Sequence, residues 1–184
     1  MAARLFASMF CLLTTAAGCH ESRDYWVLTD VRVTLPPLNT GERATDRAGT
    51  PAEWLDVHAG GAQTVLIATH GHDDPEVFDD EWSRTFVIVL DGPPSPGTYE
   101  ITPDNARFIE AGAWLPPRRP YAGAEGRLEI RSVSQTGEIR TDCAVRNVLT
   151  RPGALVRPLR GWFEFKPPPG GQRQLGAVRI VGPQ

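Results

Sequence analysis

Lysine, histidine and cysteine are scarce in this chain of 184 residues, which has a single lysine, Lys166, four histidines and three cysteines. Asp and Glu, 22 together, outnumber the 19 Lys and Arg, so the formal net charge is -3. The arginines are interspersed with acids and form no basic stripe along the sequence. Because this distribution lacks the electrostatic footprint of a nucleic-acid-binding protein, we expect no nucleic-acid partner.

Long apolar runs and amphipathic helical stripes are also missing. The amino-terminal run from Leu5 to Leu13 is shorter than the about 20 residues that a membrane-spanning helix needs. The chain has instead 18 glycines and 17 prolines, which separate short apolar segments and close turns. A hydrophobic content of 41% with 22% charged residues is typical of a folded domain. The frequent glycines and prolines between short apolar segments indicate that this domain is all-β.

Many of the short segments alternate apolar and polar residues, as half-buried strands do. Residues 25–35 show this pattern, and so do two segments around Gln135 to Gly137, which predict antiparallel strands joined by a short turn. The continuous run RTFVIVL predicts a strand that is buried on both faces. Eight to ten short strands of this kind predict an antiparallel β-sandwich or a partly open barrel.

A glycine pair and an aromatic segment add two local predictions. Gly60 and Gly61 separate the segments LDVHA and TVLIAT, which predicts a hairpin of these two strands. In the segment RGWFEFK, alternation places Trp162 and Glu164 on one face of a strand and the two phenylalanines on the other.

The first nineteen residues, MAARLFASMFCLLTTAAGC, are typical of a secretory signal peptide, with basic Arg4, an apolar run and then small residues. Positions 16–19, Ala-Ala-Gly-Cys, resemble the lipobox of bacterial lipoproteins, with alanine in place of the more usual leucine at the first position. The resemblance implies cleavage before Cys19 and acylation of that cysteine. An ordinary secretory signal cut near Gly18 is the alternative.

The lipoprotein resemblance also implies a domain organisation and a location. Residues 1–18 are the expected signal peptide, residues 19–24 a lipidated tether, and residues 25–184 a β-sandwich domain that we assign to no family. Acyl chains on Cys19 would hold the protein to a membrane of the cell envelope, at about 0.8 kcal/mol per buried CH2. Because His20 rather than aspartate follows the cysteine, the sorting rule of such lipoproteins implies the outer membrane.

The remaining cysteines offer no disulfide and no catalytic thiol. Cys11 lies in the predicted leader and Cys19 would be acylated, which leaves Cys143 without an intramolecular partner. Alternation from Ile139 places Cys143 in a strand, where we expect a small buried side chain. A nucleophilic cysteine needs a neighbouring base, and the serines lack a Gly-x-Ser-x-Gly elbow, so we assign no catalytic residue and no cofactor.

A polar stretch, THGHDD, follows the apolar segment TVLIA. His70 and His72 are two residues apart, so on an extended backbone they project from one face. With a carboxylate from Asp73 or Asp74 they would supply three zinc ligands and leave a fourth position for water. Six acids between Asp73 and Glu81 are an alternative set of ligands, for calcium. The simplest interpretation is the charged, solvated end of a strand.

Three functions are consistent with these patterns. The first is a non-enzymatic, lipid-anchored envelope protein whose β-sandwich binds or supports an envelope protein or a glycan. The second is a metal-dependent hydrolase centred on His70 and His72. The third is a carbohydrate-binding module, for which Trp54 and Trp114 are the candidate stacking platforms, because both stand beside proline or glycine in predicted loops.

Overall fold

A computed structural model describes residues 20–36, 38, 54–73, 82–112, 121–148 and 158–182. Secondary structure in these residues consists of eleven β-strands: β1 (His20–Val33), β2 (Leu55–Ala59), β3 (Gln63–Asp73), β4 (Trp82–Asp91), β5 (Gly97–Ile101), β6 (Ala106–Gly112), β7 (Tyr121–Val133), β8 (Ile139–Val148), β9 (Pro158–Phe165), β10 (Gln174–Leu175) and β11 (Val178–Val181). Within the described ranges, no helix has the length and apolarity needed to cross a membrane.

All of these strands belong to one sheet, in the order β10-β11-β2-β1-β3-β4-β6-β7-β8-β9, and β5 pairs with β7 beside β6. The all-β prediction is therefore confirmed. The pairs are antiparallel except for β11 with β2, so the sheet is mixed rather than purely antiparallel. The sheet stays open and is not closed into a barrel, although an isolated bridge between Trp26 and Lys166 brings the end of β9 to β1.

The sheet folds over on itself, so that β7 to β9 face β1, β3 and β4. One core cluster joins the two layers and buries Leu66 and Ile88 together with Leu128 and Phe163. The ring of Tyr25 on β1 lies 5.0 Å from the ring of Phe163 on β9. Apolar residues at alternate positions of both layers thus share one interior, which is the packing of a sandwich.

A second core cluster covers the opposite face of β3 and β4. Val87 and Val89 of β4 belong to this cluster and pack with Val178 of β11, whereas Phe86 and Ile88 belong to the first cluster. The strand RTFVIVL is therefore buried on both faces, as its continuous apolar sequence predicts.

The turn between β10 and β11 fits closely onto β3 and β4. Gly176 has a φ of +58°, and a Cβ there would overlap the hydroxyl of Thr85 and lie 2.5 Å from Oγ1 of Thr69. The backbone N–H of Ala177 donates a hydrogen bond to Oγ1 of Thr85 at 3.0 Å. Both threonines are buried. This contact holds the C-terminal hairpin against the second face of the sheet.

The hairpin predicted at Gly60 and Gly61 is wrong. Strands β2 and β3 each pair with β1 and not with each other. The N–H groups of both glycines donate to the carbonyl of Asp30, at the irregularity of β1. A Cβ on Gly61 would overlap the carbonyl of Val31. The glycine pair therefore lets the chain pass close to β1 instead of closing a hairpin.

Strand β1 begins at His20, five residues before the start that the alternating pattern indicates. Residues 20–24, expected in the tether, pair with residues 69–73 of β3. These residues are polar, but pairing satisfies their backbone N–H and C=O groups whatever their side chains are. The sequence pattern marks where a strand is buried and misses the part that is only paired.

Candidate binding face on strands β7 to β9

The histidine stretch is the last part of β3, so it is the end of a strand, as the simplest interpretation predicts. His70 is partly buried and lies opposite Arg84 of β4 in the strand register. The backbone of His72 and Asp73 continues the strand, the side chains of these two residues are not among those described, and Asp74 lies outside the described residues. In the part of the chain that the structure describes, no three His, Cys, Asp or Glu residues are placed to hold a metal ion. Metal ligation at this stretch stays a prediction.

Of the two cysteines expected in the mature chain, Cys19 and Cys143, the structure describes only Cys143. Cys19 lies outside the described residues, so its acylation stays a prediction. Cys143 lies on β8 with 5% of its surface exposed, and burial raises its pKa from 9.0 to about 12. A thiol that stays protonated is a poor nucleophile. The role predicted for Cys143, a small buried side chain, is confirmed.

Of the two candidate stacking tryptophans, the structure describes Trp54, which lies before β2 and outside any strand. Trp54 is partly buried, and Trp114 lies outside the described residues. Trp162 exposes 58% of its surface, and among the described residues it is the one large hydrophobic side chain that does so. Trp162 is therefore the indole ring that is most accessible among the described residues.

Trp162 belongs to a face of the sheet that no described strand covers. The inward neighbours Phe163 and Phe165 are buried in the first core cluster, and Glu164 is on the side of Trp162, as alternation predicts. The outward side of β7, β8 and β9 is polar. We call it the outer face, and it consists of Glu125, Arg127, Glu129, Arg131, Arg140, Asp142, Ala144, Arg146, Arg160, Trp162 and Glu164.

Most charges on the outer face are paired with each other. Nε of Arg131 donates to Oδ2 of Asp142 at 2.6 Å, and Nε of Arg146 donates to Oε1 of Glu125 at 2.8 Å. Further ion pairs join Arg131 to Glu129, and both Arg140 and Lys166 to Glu164. Exposed pairs of this kind contribute only about 0–1 kcal/mol each, but they neutralise the local charge.

Arg127 and Arg160 are the exceptions. Both are exposed, and neither forms an ion pair within the described ranges. They lie on either side of Ala144 in the register of β7, β8 and β9. Their backbones are thus two strand spacings apart, about 10 Å. Glu100 of β5 is opposite Arg127 in the register without forming an ion pair with it.

A depression of about 510 Å³ lies over Gly126 and Ala144. A Cβ on Gly126 would overlap the carbonyl of Ala144, and its φ of +148° also favours glycine. The depression therefore lies where two small residues, Gly126 and Ala144, leave space above the sheet. Its charged lining consists of Glu100, Glu125, Arg146 and Arg160.

A second groove, of about 680 Å³, opens between β4, β5 and the end of β1. Among its charged lining residues, Arg107 is the buried one, with 6% of its surface exposed. The guanidinium donates to the carbonyls of Pro36 at 2.8 Å, Ala106 at 2.9 Å and Pro103. Burial lowers the pKa of Arg107, and the charge of Asp104 opposes that change. Because the guanidinium N–H groups donate to backbone carbonyls, Arg107 joins the segment after β1 to the turn before β6.

Sequence reasoning did not single out Arg127, Arg160 or Trp162 as site residues. One signal was available, because Arg160 and Trp162 are alternate residues of one segment and so share a face. The proximity of Arg127 to Arg160 could not be predicted, because it depends on the register of three strands and no single segment specifies that register.

Comparison with models of protein families, with curated proteins and with solved structures finds no match for this chain.

Proposed function

We propose that this protein is a non-enzymatic envelope component, held to a membrane by lipid on Cys19, that binds another envelope component through the outer face. The observation that carries the proposal is Trp162, which is 58% exposed on a face where most charges are already paired. Tryptophan buries a large apolar area when it is covered, and it is enriched among the residues that dominate binding energies.

The position of the outer face relative to the proposed anchor supports this function. Because β1 begins at His20, the folded domain would follow the acylated cysteine directly. Strand β9 runs parallel to β1 at the bridge between Trp26 and Lys166. Side chains stand roughly perpendicular to their sheet. With the acyl chains directly before β1, we expect β1 and β9 to rise from the membrane, so that the outer face points sideways toward other molecules of the envelope.

Hydroxyl-radical footprinting tests whether the outer face is a contact surface. We expect the oxidation of Trp162 to be several-fold slower in intact envelopes than in the purified chain. Tyr99, partly buried and hydrogen bonded to Ser95, is the internal reference and should react equally in both. Equal oxidation of Trp162 in the two preparations would show that nothing covers this face.

Fractionation tests the anchor. The wild-type chain should sediment with membranes, and Cys19→Ser should release it, whereas the control variant Cys143→Ala should sediment like the wild type. A Cys19→Ser chain that still sediments contradicts lipid anchoring.

Turnover measurements test the non-enzymatic part. Hydrolysis of any ester, glycoside or peptide in a broad screen, lost on one substitution in a groove, would contradict it. Stoichiometric zinc that is lost on His70→Ala would instead support the metal-dependent hydrolase.

A further inference from the structure

Trp162 and the depression are neighbours on the outer face. Arg160 and Trp162 are alternate residues of β9, so they project from the same face with Cα atoms about 7 Å apart. Arg160 also lines the depression over Gly126 and Ala144. The exposed indole ring and the charged depression are therefore close enough for one ligand to contact both.

The ion pairs leave Arg127, Arg160 and Glu100 over at this site, so the surplus charge is positive. Arg146 is neutralised by Glu125, whereas Arg160 and, across Ala144, Arg127 form no ion pair within the described residues. A guanidinium presents two parallel N–H groups that match a planar carboxylate and bind it in a bidentate manner. A ligand with negative groups would therefore meet two arginines whose donors are not already engaged by carboxylates.

The same depression also offers hydrogen-bond acceptors. Glu100 and Glu125 line it, and ionised carboxylates accept without donating. Sugar hydroxyls both donate and accept, so a saccharide satisfies a lining of arginines and glutamates. The volume of about 510 Å³ is within the range of small-molecule sites.

We propose that the outer face binds an acidic saccharide, with Trp162 stacked on a sugar ring and with Arg160 and Arg127 bound to its anionic groups. This inference rests on the proposed function and specifies the ligand class for the same face. Stacking buries one side of the ring against the indole, and the arginines select charged sugars over neutral ones.

The test is direct binding to an array of acidic and neutral oligosaccharides, followed by titration calorimetry with the full chain. The array includes oligogalacturonate and its methyl ester, which share rings and linkages and differ in carboxylate charge. We expect an acidic glycan to bind at least about tenfold more tightly than its neutral counterpart, and less tightly as salt is raised. An array on which no acidic glycan exceeds its neutral counterpart overturns the proposal.

Substitutions then assign the roles. Trp162→Ala should weaken the binding of that acidic glycan about tenfold, whereas Trp162→Phe should keep most of the affinity because an aromatic ring remains. Arg160→Gln should weaken it about fivefold and flatten the salt dependence. The matched control is Arg173→Gln, at an exposed arginine of the C-terminal layer, and it should change nothing. An Arg173→Gln variant that loses as much as Arg160→Gln would show that only net charge matters.

Two other occupants of the outer face give distinct results. A Cys19→Ser chain that binds anionic phospholipid vesicles through Trp162, without binding any glycan, would identify a membrane. A dimer that Trp162→Ala converts to a monomer, again without glycan binding, would identify a second copy. Either result overturns the saccharide proposal. If Trp162 is nevertheless protected from oxidation in intact envelopes, the proposed function is still supported. Failure of the saccharide proposal is therefore distinguishable from failure of the proposed function.

Discussion

The contact between the C-terminal turn and strands β3 and β4 predicts a large loss of stability for Gly176→Ala. Alanine at a φ of +58° costs about 1–2 kcal/mol, because its Cβ approaches the following carbonyl. The methyl group would also overlap the Thr85 hydroxyl, so the turn must move away and break the hydrogen bond from Ala177. A buried N–H left unsatisfied costs about 1–3 kcal/mol more.

The free energy of unfolding should therefore fall by about 2–5 kcal/mol, a large part of the 5–15 kcal/mol that stabilises an ordinary domain. Urea unfolding of the purified chain, followed by tryptophan fluorescence, measures this loss. Gly171→Ala is the matched control, since Gly171 has a φ of +90° but nothing within 4 Å of an added Cβ. Backbone strain alone should then reduce stability by about 1–2 kcal/mol.

Equal losses in Gly176→Ala and Gly171→Ala would refute the packing of the turn on the two threonines. The variant Thr69→Ala gives a second check, because it makes room beside the added methyl group. Combined with Gly176→Ala, it should recover part of the lost stability, so the two effects should not add.

Two neighbouring residues of β9, one of β4 and one of β8 give further outcomes. Phe163→Ala should reduce the free energy of unfolding by about 3–5 kcal/mol because it empties a buried site, whereas Trp162→Ala should change it by less than about 0.5 kcal/mol; similar losses would contradict the assignment of the two faces. Thr85→Val should cost about 1–3 kcal/mol in the same urea assay, since the N–H of Ala177 loses its acceptor, and a neutral effect would contradict the hydrogen bond. The pKa of Cys143 is raised to about 12, so its thiol stays protonated in the folded chain while the unfolded chain ionises near 9.0. Stability relative to Cys143→Ala should therefore fall as the pH rises from about 9 toward 12, and a constant difference over that range would count against this burial.

Local patterns predicted most strands and the antiparallel pair of β7 and β8, but not the other partners. The turn after β7 and the doubly buried β4 follow from turn residues and alternation within a few positions, and both are confirmed. The pairing of β2 and β3 with β1 did not follow, because partner choice depends on segments far apart in the chain. Gly60 and Gly61 show the limit, since the same two glycines suit a hairpin and a close passage beside another strand.

The sequence by itself determined the all-β class, because short alternating segments punctuated by glycine and proline cannot form a helical stripe. It also determined which side of β9 is apolar, because successive side chains of a strand point to opposite faces. Only the tertiary structure decided which polar side stays uncovered. The C-terminal hairpin folds over β3 and β4 and leaves the outer face of β7 to β9 open, so Trp162 is exposed. It also decided that Arg127 and Arg160 flank Ala144, because residues 33 positions apart become neighbours only through the register of three strands.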